Sequence, residues 1–264
     1  MQDFNYHTHT YRCGHADLSM DDEDFVIELL NKGFKKMAFT DHVPTKDGID
    51  NERYMRMPFE EKDEYLENIK RLKEKYKDKI DIKAGFEIEY LPSKLEYLLE
   101  LKKETDILVL GQHYIVGENG FKKFRHHDFE DKDLIRYAEL ICEAIEKGIP
   151  DIIVHPDLYM LARNTFGVVE EKVAHMICKK AEEYNVPIEI NLTDPFLYLS
   201  KRKEKVVYPS KEFWNIASNY NIKILYGIDA HYKEQIRTYE ESMDLANKII
   251  GKKILDKINF IKDI

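Results

Sequence analysis

Short apolar runs alternate along the chain with segments in which apolar residues return every three or four positions. The runs are Phe4–His9, Met37–His42, Ile80–Tyr90, Ile107–Ile115, Ile152–Pro156, Pro187–Leu192 and Ile222–His231. Their length and their content of Val, Ile, Phe and Tyr predict strands. Between them, Tyr65, Leu66, Ile69, Leu72 and Tyr76 keep a helical period. Helices are also expected from Ser19-Met20-Asp21-Asp22 to Gly33, after Ser93-Lys94-Leu95-Glu96 (which reads as a capping box), and over Leu134–Lys147, Val168–Tyr184, Ser210–Tyr220 and Tyr232–Ile250. A short last helix is expected over Leu255–Ile261. Strand and helix in alternation predict a parallel sheet with crossover helices, either open or closed into a barrel. No glycine-rich phosphate loop follows a strand, which takes support from the nucleotide-binding open sheets.

Three expected connections are long: Val43–Pro58, Gly117–Asp131 and Asp194–Pro209. Each follows the carboxyl end of a strand, the face on which barrel proteins build their sites. Within the last, Lys201-Arg202-Lys203-Glu204-Lys205 reads by default as a solvated charge run.

Composition narrows the classes. The 264 residues suit one large α/β barrel or two ordinary domains, and without an internal repeat or a low-complexity linker residues 1–264 are expected to form one domain. A net charge of -9 argues against a general polyanion groove but permits a small phosphorylated substrate held by a few local cations. Cys13, Cys142 and Cys178 are odd in number and widely spaced, so a disulfide framework is not expected and a reducing cytoplasm fits best. No apolar run approaches the roughly 20 residues of a membrane span, and no basic-then-apolar leader opens the chain.

The histidines carry the chemistry. Seven of the ten lie at or just past the carboxyl end of an expected strand: His7, His9, His15, His42, His113, His155 and His231. His7 and His9 are two apart, hence on one face of an extended strand. Glu87 sits on the third strand, and Asp229 lies two before His231, hence on its side. One buried histidine is ordinarily a hydrogen-bonded core residue. Several at one end of several strands form a polar cluster that needs partners, and shared cations supply them. Imidazole with carboxylate suits zinc, iron or manganese better than magnesium or calcium. Nine ligands exceed one four-coordinate ion, so two or three divalent ions are expected, with a carboxylate such as Glu87 suited to bridging a pair.

The ordered motifs His7-Thr8-His9, Cys13-Gly14-His15-Ala16, Asp41-His42, Glu87, Gly111-Gln112-His113, His155-Pro156-Asp157 and Asp229-Ala230-His231 resemble those of the PHP (polymerase and histidinol phosphatase) superfamily, and within it the monofunctional histidinol-phosphate phosphatases. The resemblance implies a distorted (β/α)7 TIM-like barrel with a trinuclear metal site. It implies that His7, His9, Glu87 and Asp229 hold one ion, Glu87, His113 and His155 a second, and His15, His42 and His231 a third. It also implies phosphate-binding arginines from late loops, for which Arg163 and Arg202 are the candidates, Arg163 preferred because it follows the His155 strand. Asn191-Leu192-Thr193-Asp194-Pro195-Phe196 departs from the Asn-Thr-Ser-Gly run expected there, and Gly111-Gln112-His113 is shorter than its Gly-Ser-x-His counterpart.

The reaction so implied is hydrolysis of a small phosphomonoester, with L-histidinol phosphate the leading substrate, by hydroxide held between two ions that share Glu87. Asp229 would orient the nucleophile and take its proton, and His126 and His127 are candidate donors to the leaving alcohol. Cys13 reads as a small buried thiol rather than a ligand, and His175 as a surface residue. The alternatives are a PHP phosphodiesterase or exonuclease, a phosphatase for another ester, and a non-enzymatic member.

Overall fold

The computed structural model describes residues 2–46, 55–117, 120–124 and 129–262. His126 and His127 lie outside them, as do parts of two of the long connections. The chain runs β1 (Phe4–Asn5), α1 (Asp22–Asn31), β2 (Lys36–His42), α2 (Lys62–Tyr76), β3 (Asp81–Ile88), α3 (Leu95–Glu104), β4 (Ile107–Leu110), β5 (Tyr114–Gly117), β6 (Gly120–Lys123), α4 (Asp131–Glu146), β7 (Ile152–Ile153), α5 (Val168–Tyr184), β8 (Ile188–Asn191), α6 (Thr193–Leu199), α7 (Lys211–Ala217), β9 (Lys223–Gly227), α8 (Lys233–Arg237), α9 (Tyr239–Ile250), α10 (Lys252–Leu255) and β10 (Asn259–Phe260). The main sheet is parallel throughout, in the order β1-β2-β3-β4-β7-β8-β9-β10.

That sheet curls until its ends meet at one rim. Thr8, past β1, pairs with Ala230, past β9, through His9 N donating to Ala230 O at 2.9 Å and Ala230 N donating to His7 O at 3.2 Å. Lower down the seam stays open, because β10 occupies the edge of β9 at Lys223 and Ile224. Side-chain amides bridge the rest. Gln2 exchanges two hydrogen bonds with the Tyr226 backbone, at 2.7 and 2.9 Å, and Asn5 Oδ1 accepts from Ile228 N at 2.9 Å. The result is the distorted, incompletely closed TIM-like barrel that the motifs implied, with the seven expected strands in their expected order.

Two buried clusters hold it together. A small one, with Phe4, Ala38, Ile107, Val109, Ile152 and Leu225, fills the bore from alternate positions of different strands. A large one lies between the sheet and its helices, where Phe25, Leu29, Tyr65, Ile69, Leu98 and Ile141 pack over Met37, Phe39 and Phe86. Each such side chain contributes about 1.5–3 kcal/mol by leaving water.

Several elements differ from expectation for local reasons. The α1 cap is Asp21, whose carboxylate accepts from Asp24 N in a reciprocal capping box. The box expected at Ser93 is absent, since Pro92–Lys94 forms a 3-10 turn that leads straight into α3. The fourth strand stops at Leu110, and Tyr114 opens the antiparallel β5–β6 hairpin. The loop after β8 contains α6, and the chain ends in α10 and β10 rather than one short helix. Among the described residues no helix is long and apolar enough to cross a membrane.

Candidate metal centre

The strands deliver the ligands by simple alternation. On β2, Thr40 and His42 share a face; on β3, Gly85 and Glu87 do, with Glu89 just past its end; beyond β4 come Gly111 and His113; β8 brings Glu189 and Asn191; and Gly227 precedes Asp229 and His231. Register places His42 directly beside Glu87. Two glycines make the room. A Cβ on Gly111 would lie 1.8 Å from Glu87 Oε1, and one on Gly227 would lie 1.9 Å from Glu189 Oε2. Where a strand ends, strained backbone re-aims the side chain: His155 has φ 33° and Asp229 has φ 52°. Gly14, at φ 77°, turns the chain so that His15 returns toward the rim.

All nine expected ligands converge. Nε2 of His7 and Nε2 of His9 lie 3.2 Å apart. Glu87 Oε2 is 3.6 Å from the first and 3.4 Å from the second, and Asp229 Oδ1 is 3.5 Å and 3.2 Å from them. Ligands at 2.0–2.1 Å around a tetrahedral ion stand about 3.3–3.4 Å from one another. Five of the six edges of that cage are therefore already near its dimensions. Asp229 Oδ1 is buried and has no hydrogen-bond partner, so an ion is what would satisfy it. The other oxygen of Glu87 serves a second group: Oε1 is 2.8 Å from His155 Nε2 and 3.6 Å from His113 Nε2, while Oε2 also meets His42 Nδ1 at 3.0 Å. Glu87 thus divides its oxygens between two sets of imidazoles, the geometry of a bridging ligand. A third group forms where His15 Nε2 and His231 Nε2 approach to 2.9 Å. His9, His42 and His231 can also converge on one ion, as can Cys13, His15 and His231, so Cys13 stands nearer to ligand position than its sequence context suggested. These clusters can hold two or three divalent ions.

Partners behind the imidazoles fix which nitrogen faces inward. His7 Nδ1 lies 3.0 Å from Glu189 Oε2, and His113 Nδ1 lies 2.7 Å from Glu89 Oε1. His15 Nδ1 donates to Cys13 O and His231 Nδ1 to Asp229 O, both at 3.0 Å. His9 Nδ1 faces Asp41 Oδ1 at 3.5 Å, an ionic contact too long for a hydrogen bond. Asp229 Oδ2 accepts from Thr193 Oγ1 at 3.0 Å and Asn191 Nδ2 at 3.2 Å. Sequence reasoning assigned none of these supporting roles. For Glu89 a signal existed, since it stands two residues beyond Glu87 in the same extended run.

The model of the PHP domain family matches residues 5–193. The chain belongs to the PHP domain family. A probable histidinol-phosphatase of Schizosaccharomyces pombe is 28% identical, the match covering 87% of this chain and 81% of that protein. Two solved structures share the PHP fold. A candidate histidinol phosphatase from Listeria monocytogenes superposes with a TM-score of 0.73 at 22% identity, covering 90% of this chain and 98% of the other. Histidinol phosphate phosphatase from Lactococcus lactis, complexed with zinc, L-histidinol and phosphate, gives 0.67 at 16% identity, covering 93% and 94%.

Electrostatics in this PHP domain follow from burial and crowding. Burial pulls the His9 imidazole down, but Asp229 and Asp41 outweigh it and lift it to about 9. His7 behaves alike, with burial overcome by Asp229, Glu189 and Glu87 so that it rises well above its usual range. Burial wins at His42, against Glu87, and at His231, where the charge of His9 adds to it; both fall well below the ordinary value. For Glu87 and Asp229 burial acts upward, yet the surrounding imidazoles hold both carboxyls well below the carboxylate range.

The clusters form the floor of a cavity of about 230 Å³. Met55, Phe124, Leu158, Leu161, Phe196 and Leu197 make an apolar wall, with Lys123, Tyr208, Tyr232 and Gln235 also lining it. The two expected arginines part company. Arg202 stands at this rim, its guanidinium 4.8 Å from the ring centre of Tyr232 and 5.6 Å from that of Phe196. Arg163 does not line the cavity. It is held by Asp131 at 2.6 Å and Glu170 at 3.0 Å beside a separate surface depression, because the 3-10 turn Leu158–Ala162 carries it away from the His155 strand end. Neither arginine is among the residues that line the cavity; Arg202 stacks on two that do, whereas Arg163 is turned away from it.

Proposed function

We propose that this PHP domain is a metal-dependent phosphomonoesterase acting on a small phosphorylated metabolite, with L-histidinol phosphate the first substrate to test. The reading rests above all on Glu87, whose two oxygens face two imidazole groups at the floor of a cavity sized for a small molecule. The relatives' names and the Lactococcus lactis complex, which contains zinc, L-histidinol and phosphate, support the choice of substrate.

His7, His9, Glu87 and Asp229 would hold one ion, Glu87, His113 and His155 another, and His15, His42 and His231 a third. Such ions supply Lewis-acid charge for the phosphoryl oxygens and acidify a coordinated water. The chain does the remainder. Asp229 is anionic at neutral pH and is anchored through Oδ2 by Thr193 and Asn191, so it is placed to orient the attacking water and accept its proton. Glu87, with Oε1 toward His155 and Oε2 toward His9 and His42, would serve both of the first two sites. Arg202 at the rim meets the phosphate, and its aromatic neighbours hold the guanidinium plane in position. The apolar wall excludes bulk water around the ester.

A phosphodiester reading has less support, because a net charge of -9 and a cavity of about 230 Å³ suit a small ester better than a polymer. Protein loaded with manganese or zinc should hydrolyse histidinol phosphate or another small monoester faster than bis-p-nitrophenyl phosphate. Faster turnover of the diester than of every monoester would overturn the assignment.

A further inference from the structure

The loop between α6 and α7 is gathered on one carboxylate. Asp194, 1% exposed, accepts two bonds from Lys203 Nζ at 2.6 and 2.7 Å, one from Val207 N at 2.7 Å and one from Tyr208 N at 3.3 Å. Its neighbour Thr193 points the opposite way, to Asp229 Oδ2. Consecutive residues therefore hold the metal floor with one side chain and the cavity rim with the next. The loop is pinned elsewhere as well. Arg202 N and Lys203 N both donate to Leu197 O, at 2.8 and 3.1 Å, after a left-handed turn at Lys201, φ 59°. Ser210 N donates to Asp157 Oδ2 at 2.6 Å, two residues beyond His155. Between these pins stand Tyr208, in the cavity wall, and Arg202, stacked on the wall residues Tyr232 and Phe196.

We propose that Asp194 is a positioning residue of the phosphoester site, fixing Arg202 and Tyr208 against the cavity before substrate arrives. The inference rests on the phosphomonoesterase reading, with Arg202 as a phosphate contact. A long, polar loop must otherwise be ordered when the ester binds, and that cost appears as lost affinity. A buried carboxylate bonded by three donors removes it in advance. Lys203 neutralises the charge that burial would otherwise penalise.

The test uses manganese-loaded full-length protein, inorganic phosphate as the ligand for calorimetry, and p-nitrophenyl phosphate for kinetics. Asp194→Ala should keep wild-type metal content and a kcat within about twofold, while KM and the phosphate Kd both rise about tenfold, the loss expected when two side chains must be ordered on binding. Arg202→Ala should cost less in the Asp194→Ala background than in the wild type, since the arginine is already out of place. Additive effects, or an unchanged phosphate Kd, would overturn the proposal. Should Asp194→Ala not fold, Lys203→Met removes the ion pair and leaves the carboxylate-to-amide bonds. It should raise the phosphate Kd by about threefold, a part of the same ordering cost, and an unchanged Kd would again overturn it. Wild-type protein that neither binds phosphate nor turns over a monoester would instead reject the phosphatase reading.

Discussion

Gly111→Ala tests the bridging role of Glu87 without replacing a ligand. The new methyl would stand 1.8 Å from Glu87 Oε1, 2.7 Å from its Cδ and 2.8 Å from His155 Cε1. Ordinary carbon–oxygen contact is about 3.3 Å or more, so the carboxylate must retreat by about 1.5 Å. Metal–ligand distances hold within about 0.2 Å, so such a retreat cannot keep Glu87 in two ion sites. The fold itself should survive, because overpacking by one methyl costs about 1–3 kcal/mol. The variant should remain folded by circular dichroism, lose at least one bound ion by elemental analysis, and lose activity about 100-fold or more, beyond the roughly 10- to 100-fold cost of disturbing an outer partner. With Glu87→Ala already in place the clash with the carboxylate is gone and only the contact with His155 remains, so the added substitution should cost less stability than it does alone. A full ion complement with normal turnover in Gly111→Ala would refute the claim that Glu87 joins two sites.

Glu189→Gln removes the charge that holds His7 Nδ1 and should weaken ion affinity by about 10- to 100-fold, read by chelator competition; unchanged affinity would leave Glu189 a purely structural group. His7 and His9 are raised in the ion-free protein, so both carry protons at neutral pH and both must lose them to bind a cation. Ion affinity should consequently fall as pH drops below about 9, by about tenfold per unit for the proton of His9 and more steeply where that of His7 adds to it; His42 and His231, already neutral, add nothing to that slope. A pH-independent affinity between about pH 6 and 8 would contradict it. Arg202→Ala should raise KM about tenfold or more with kcat little changed, as expected for loss of one charged hydrogen bond, whereas Arg163→Ala should alter neither; the opposite ranking would restore Arg163 to the phosphate.

The alternation of strand and helix and the candidate ligand residues were legible locally, whereas α6 and the α10–β10 segment were not. Hydrophobic period marks each strand, and each ligand sits where that period ends, so His7, His42, Glu87 and His231 announce themselves without tertiary information. The β5–β6 hairpin was not legible, because Ile107–Ile115 reads as one run and only the turn at Gly111-Gln112-His113 breaks it. The Ser93 cap failed because Pro92 preorganises a different start.

Residue types and their order thus settled the family of chemistry: imidazoles and carboxylates at strand ends, suited to divalent transition metals. The closed geometry decided the rest. Which nitrogen meets which oxygen, that Glu189 stands behind His7 across 182 residues of chain, and that Arg202 rather than Arg163 packs on residues of the cavity wall all depend on how far the sheet curls and in what register. Those quantities arise from packing summed over every strand, and no local stretch of sequence encodes them.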